Sequence, residues 1–256
     1  MKLAIMQPYF LPYIGYFQLI AAVDTFVVND NIKYTKKGWI NRNRLLLNGS
    51  DTTFTLPLKK GSDSLNVIER ELATDFDRAK LLSQFKGAYQ RAPQFDGTWP
   101  LLNCVVQHPE TNLFRFVHHA LTATCSHLGL QTEIRISSSL PFDESLKGQD
   151  KVLAICAALG VDGYVNPIGG TELYQRAAFE SQGLQLSFLL PCAPPYAQGA
   201  ARFVPWLSII DVLMFNPLAQ VQDWVHHGAR LLDAGIDAGM GADRVAECDL
   251  SNGSAP

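Results

Sequence analysis

Four segments of the chain carry residue types whose spacing suits binding chemistry. QPYFLPYIGY places Gln7, Tyr9, Tyr13 and Tyr16 around Gly15. If this stretch leaves a strand and opens a helix, free backbone amides there favour a phosphate or carboxylate, the tyrosines can stack on a base or donate hydroxyl hydrogen bonds, and Gly15 permits close approach. NDNIKYTKKGWINRNR brings Lys33, Lys36, Lys37, Arg42 and Arg44 together with only Asp30 against them. Trp39 adds a stacking face. On a strand Arg42 and Arg44 share one side and Asn41 and Asn43 the other, so the arginines can grip a diphosphate in bidentate fashion.

YVNPIGGTELY contains Asn166 at the end of an apolar run and Gly169-Gly170 ahead of Thr171, a good helix cap, so exposed turn amides are expected there. In RFVPWLSIIDVLMFN, Ser208 and Asp211 stand three apart among apolar neighbours. A buried Asp211 needs a partner: an arginine of the basic segment, a substrate amine, or a proton taken up as a base are all open. The adjacent pairs His118-His119 and His226-His227 do not chelate, because neighbouring helical residues point about 100° apart. No metal is expected. Gly-x-Ser-x-Gly, Walker A and Gly-x-Gly-x-x-Gly motifs are absent, which removes support for serine hydrolase, P-loop and dinucleotide readings.

The elements that must position these segments follow from periodicity. Leu3 to Met6, Thr25 to Val28, Glu133 to Ser137, Gly163 to Asn166 and Leu184 to Leu190 are short apolar or β-branched runs, five candidate parallel strands. Helix-period stretches lie between them: Tyr16, Leu19, Ile20 and Val23; a segment capped by Asp75 with Leu82, Phe85 and Tyr89; Glu110 to Leu128; Lys147 to Leu159; Thr171 to Gln182; and Pro205 to about Phe215. Asn48-Gly49 tolerates the positive φ angles of a type I′ turn, so Trp39 to Leu47 and Thr52 to Pro57 should form a hairpin. The expected fold class is α/β: a mostly parallel sheet with flanking helices and an inserted β-hairpin and helical segment at about 31–128.

The 256 residues are expected to form a single domain over 1–234, followed by a small, polar, disordered tail over 235–256. Hydrophobic residues make up 47% and charged residues 18%, enough for a sizeable core. A net charge of -3 gives no global field for a nucleic acid or an anionic membrane, so any anion site is local. Pro8 and Pro12 interrupt any signal-peptide core, and no apolar run nears the ~20 residues that span a bilayer. The expected location is cytoplasmic.

MQPYFLPYIGYFQLI, KGWINRNR, YVNPIGG and FVPWLSIIDVLMFN together resemble the WbqC-like proteins of bacterial surface-polysaccharide gene clusters, over about residues 1–217. The resemblance implies a role in O-antigen or related glycan assembly, with glycyl or aminoacyl transfer to amino sugars as one activity. FLPYIGYFQLI is also similar to the proline-led His-x-Gly-His signature of nucleotidyltransferases and class I aminoacyl-tRNA synthetases, implying a HUP-type, Rossmann-like core. Tyr13 and Tyr16 stand where those families place histidine. A tyrosine cannot be an imidazolium, so charge must come from Lys36, Lys37, Arg42 and Arg44. RISSSL resembles the Ser-rich second signature but falls too early in the strand order.

The expectation that follows is a transferase moving an aminoacyl or acyl group to a nucleotide-linked amino sugar, with ATP as a candidate substrate. Lys37, Arg42, Arg44 and Asp211 are its candidate catalytic residues. Nucleotidyl transfer to a sugar phosphate, and noncatalytic sugar-nucleotide binding, stay open beside it.

Overall fold

The computed structural model describes residues 1–199 and 202–233; the expected tail lies outside the described residues. Five strands run parallel: β1 (Lys2–Met6), β2 (Thr25–Val28), β5 (Glu133–Ile136), β6 (Gly163–Pro167) and β7 (Gln185–Leu190). Their order is β5-β2-β1-β6-β7, with β8 (Arg230–Asp233) added antiparallel to β7. Numbered in chain order, the parallel strands therefore stand 3-2-1-4-5, the doubly wound arrangement of a Rossmann-like core.

Alternation along the strands sends side chains to two cores. Ala4, Phe26, Val28, Val165 and Leu189 pack on one face with helix α1 (Ile14–Ala21). Leu3, Ile5, Val27, Tyr164 and Phe188 pack on the other with α5 (Gly148–Leu159) and Phe179 of α6 (Arg176–Glu180). Gly160, at φ +61°, closes α5 in the left-handed region that glycine adopts without strain.

The insertion is a hairpin, β3 (Arg42–Leu47) and β4 (Ser50–Thr55), then α2 (Arg78–Tyr89), α3 (Phe95–Gln107) and α4 (Leu113–His127). Asn48 and Gly49 both take positive φ, 52° and 78°, as the hairpin turn requires.

Several local expectations are corrected. The cap of α2 is Asp77, whose carboxylate accepts from the Lys80 amide at 2.9 Å, rather than Asp75. Thr171 does not open a helix: Ile168–Leu173 is a 3-10 segment, and α6 begins at Arg176. The last expected helix is shorter, α7 (Ile209–Phe215), and is followed by α8 (Leu218–His227). Among the described residues no helix is long and apolar enough to cross a membrane.

Candidate functional site

In a sheet of this order the crevice forms at the carboxyl edge where the chain turns away in opposite directions, here between β1 and β6. A cavity of about 340 Å3 opens there, lined by Tyr9 and Tyr13 after β1, Ile168 after β6, Pro191 after β7, Trp39 ahead of the hairpin, Arg44 on β3, and Trp206. Two of the aromatic pairs are in contact. Tyr13 meets Trp206 edge-on at 5.8 Å between ring centroids, and Tyr9 lies 6.3 Å from Trp39. Burial pushes the hydroxyls of Tyr9 and Tyr13 above the ordinary phenol range, so both stay neutral donors.

The loops that carry these rings are pinned by side chains that the sequence marked for ligands. Leu11 sits at φ +47°, a strained value for a branched residue. Its carbonyl accepts from Asn43 Nδ2 at 2.5 Å and from Ser208 Oγ at 2.7 Å. Trp206, at φ +59°, has its carbonyl held by Arg44 Nη2 at 3.2 Å. Strain retained by such cross-bracing is a feature of binding sites.

The structure assigns the two arginines different work from a paired diphosphate grip. Arg42 Nε donates to the Gly38 carbonyl at 2.9 Å, Nη2 donates to the Lys37 carbonyl, and the guanidinium lies 5.2 Å from the centre of the Trp39 ring. Arg44 pairs with Asp51 at 2.7 Å besides holding the Pro205 and Trp206 carbonyls. Arg42 thus braces the turn that carries Trp39, and Arg44 braces the Trp206 carbonyl while it lines the cavity. Lys36 is paired with Asp63 at 2.7 Å, and Lys37 is exposed on the turn.

Four further expectations are corrected by burial. Tyr16 is a core residue, 2% exposed, whose hydroxyl donates to the Gln7 carbonyl at 2.9 Å. Gly15 admits the Tyr13 ring and Pro191 rather than a ligand: a Cβ there would lie 2.7 Å from Pro191 Cβ and overlap Tyr13. Neither Ile14 nor Gly15 lines the cavity, so its wall is aromatic where bare helix amides were expected. Asp211 lies outside the cavity: its carboxylate is fully buried and accepts from Tyr89 Oη at 3.0 Å, Tyr196 Oη at 2.7 Å and Gln198 Nε2 at 2.8 Å.

The remaining expected residues are structural or lie elsewhere. Asn41 bridges Tyr34 Oη (2.9 Å) and the Leu56 carbonyl (2.8 Å). Asn166 Oδ1 accepts from Tyr164 at 3.3 Å, and a Cβ on Gly170 would strike the Asn166 amide; Gly169 is exposed. Ser208 caps α7. Gln7 and Lys33 line a second opening, on the other face of the sheet. Asp30 is 1% exposed and accepts from Ser137 Oγ (2.8 Å), the Ser138 amide (3.0 Å) and Ser138 Oγ (2.6 Å). The Ser-rich segment thus ties the end of β5 to the end of β2. Ile168, Pro191 and Trp206 are the cavity residues that sequence reasoning missed, although Trp206 stands beside the Ser208–Asp211 pair and Ile168 beside Gly169.

Among the described residues no three His, Cys, Asp or Glu side chains gather in a way that could hold a metal ion. His118 and His119 fall on α4, with the His119 ring stacked on His108 at 3.8 Å. Cys156 is buried in the second core, which pushes its thiol up to about 12, and it packs there as a small apolar side chain.

With this geometry in view, comparison with known proteins places the chain. Residues 7–223 match the model of the WbqC-like protein family. The chain belongs to that family. It is 28% identical over 232 residues, covering 88% of this chain and 98% of the relative, to the uncharacterized protein Rv1507c of Mycobacterium tuberculosis (strain ATCC 25618 / H37Rv). No solved structure matches it. The family match spans every residue that lines the cavity of this WbqC-like protein, from Tyr9 after β1 to Trp206 ahead of α7.

Proposed function

We propose that this WbqC-like protein is a cytoplasmic transferase of surface-polysaccharide biosynthesis that moves an aminoacyl or acyl group onto the amine of a nucleotide-linked amino sugar. One observation carries the reading: Tyr9, Tyr13, Trp39 and Trp206 surround a cavity of about 340 Å3 at the switch point of a Rossmann-like sheet. Aromatic walls with a few polar tips suit a sugar ring or base, and the volume falls in the range of small-molecule sites. In the transfer the amine attacks the acyl carbon, an amide bond forms, the bond to the donor's leaving group breaks and the amine proton departs. The cavity contributes by fixing the amine against that carbon.

Two of the four tryptophans line the cavity, so titration with nucleotide-linked amino sugars is expected to change tryptophan fluorescence. Trp39→Ala should weaken that binding by about 1–3 kcal/mol, the range of one aromatic stacking contact. No response to any such sugar, or a folded Trp39→Ala variant that binds as the wild type does, would overturn the assignment. Pyrophosphate exchange with ATP and amino acids then tests whether activation occurs on the same chain. The 3-2-1-4-5 strand order also suits nucleotidyl transfer. Release of pyrophosphate from a nucleoside triphosphate and a sugar phosphate, without any amino acid, selects that alternative.

A further inference from the structure

The opposite face of the sheet has its own opening at the same carboxyl edge. It measures about 530 Å3 and lies among the ends of β1 and β2, the first turn of α5, and Tyr164 and Tyr174. Lys33, Lys147 and Lys151 line it, with Glu144 the single acidic side chain against them.

Lys151 is the informative residue. It is 8% exposed, and among the described residues it forms no ion pair. Its Nζ donates instead to Asn29 Oδ1 at 2.8 Å and Asn31 Oδ1 at 2.6 Å. Asp30, between those asparagines, is taken up by Ser137 and Ser138. An ammonium has donors only, so both asparagines must turn their carbonyl oxygens to it. Their NH2 groups are thereby left without an acceptor among the described residues, and both asparagines line the opening. Lys147 caps α5 without a side-chain hydrogen bond, so the first-turn amides of this twelve-residue helix add further donors, with Asp150 the acidic residue of that turn. No described carboxylate lies within ion-pair distance of it; burial holds the Lys151 pKa below that of an ordinary lysine, and the nearby charges of Asp30 and Glu144 oppose that only in part.

We propose that this crevice binds the phosphate or diphosphate group of a co-substrate, with Lys151 as its buried counter-charge and Asn29 and Asn31 as oriented donors. Three lysines, two amides and a helix terminus supply more donors and charge than a single carboxylate can use. The proposal stands apart from the reading of the aromatic cavity, which shares no lining residue with this opening.

Calorimetric titration of the full chain with inorganic pyrophosphate tests it. One site per chain is expected, and Lys151→Met should weaken binding at least about tenfold, the loss of one charge-assisted contact. Because Lys151 also braces the β2 end, Asn31→Asp serves as a second variant: it gives Lys151 a carboxylate partner and should weaken pyrophosphate to a similar degree. Trp39→Ala should bind pyrophosphate as the wild type does, which separates failure here from failure of the cavity reading. Displacement of pyrophosphate by uridine diphosphate would assign the anion to a nucleoside diphosphate; no displacement would assign it to another phosphate, and either supports the site. No pyrophosphate binding by the wild type, or unchanged binding by folded Lys151→Met and Asn31→Asp, would overturn the proposal.

Discussion

Asp211 and Lys151 are both charged side chains withdrawn from water, and they are withdrawn in opposite ways. Asp211 lies between the hairpin, α2 and the C-terminal helices, and three donors close around its carboxylate. Lys151 lies at the mouth of a crevice, and its partners are amides whose other ends face outward. A carboxylate with three donors has its hydrogen-bonding capacity largely used, so it fixes structure. An ammonium that orients two amides leaves donor capacity over, so it prepares a place for an anion. Burial of a charge therefore does not by itself identify a functional group; what its partners leave unsatisfied does.

The largest test of this contrast is to delete each charge. Asp211→Ala strands two hydroxyls and an amide in the interior and should cost about 3–5 kcal/mol in denaturant unfolding. Lys151→Met leaves asparagines that water in the crevice can reach, so a smaller loss, about 1–2 kcal/mol, is expected. A greater loss at Lys151 than at Asp211 would break the comparison. Removing one donor sharpens it: Tyr196→Phe should cost about 1.5–3 kcal/mol, the range for a hydrogen bond to a charged acceptor. A stability equal to wild type would show that Gln198 and Tyr89 satisfy the carboxylate alone.

A smaller effect is expected where the aromatic cavity rests on α1. Gly15→Ala improves helix propensity by about 0.5–1 kcal/mol but drives a methyl into Tyr13 and Pro191. A net loss of about 1–2 kcal/mol, with altered nucleotide-sugar affinity from the displaced Tyr13, is the expected outcome. A variant as stable as wild type, with unchanged affinity, would show that the ring can move away freely.

Gly15 also illustrates how far the sequence could be read. Its position between a strand and a helix was legible, as were all five parallel strands and the Asn48-Gly49 turn, because apolar runs and positive-φ dipeptides are local signals. Its neighbour was not. Helix α3 is not legible because Gly97 and Pro100 break the helical pattern; Pro100 stands at its sixth residue, past the first turn, where the prolyl nitrogen costs the helix one backbone hydrogen bond. Strand β8 escaped because it is short and largely exposed. The basic segment is visible as charge, but only the fold shows Arg42 bracing the Trp39 turn and Arg44 shared between Asp51 and the Trp206 carbonyl. The Lys151 cluster draws on β2, the end of β5 and α5, more than a hundred residues apart, and no spacing rule connects them.

The finest test of the contrast is a pH profile. Burial raises the Asp211 pKa above its ordinary 3.8, and the hydrogen bonds from Tyr196, Tyr89 and Gln198 oppose that only in part. A folded state that holds the proton more tightly than the unfolded state gains stability at low pH. It loses that gain as pH rises through the folded value. The wild type's stability relative to Asp211→Asn should therefore be greatest near and below pH 3.8 and decline above it, at about 1.4 kcal/mol for each unit by which the pKa is raised. Tyr89 and Tyr196, the titratable groups that touch the carboxylate, are pushed further up by burial and do not titrate in this window. Taking the difference between the two proteins cancels carboxylates elsewhere in the chain. A difference that grows with pH would mean that the three donors outweigh desolvation, and the closed cluster would then be a stabilising charge rather than a tolerated one.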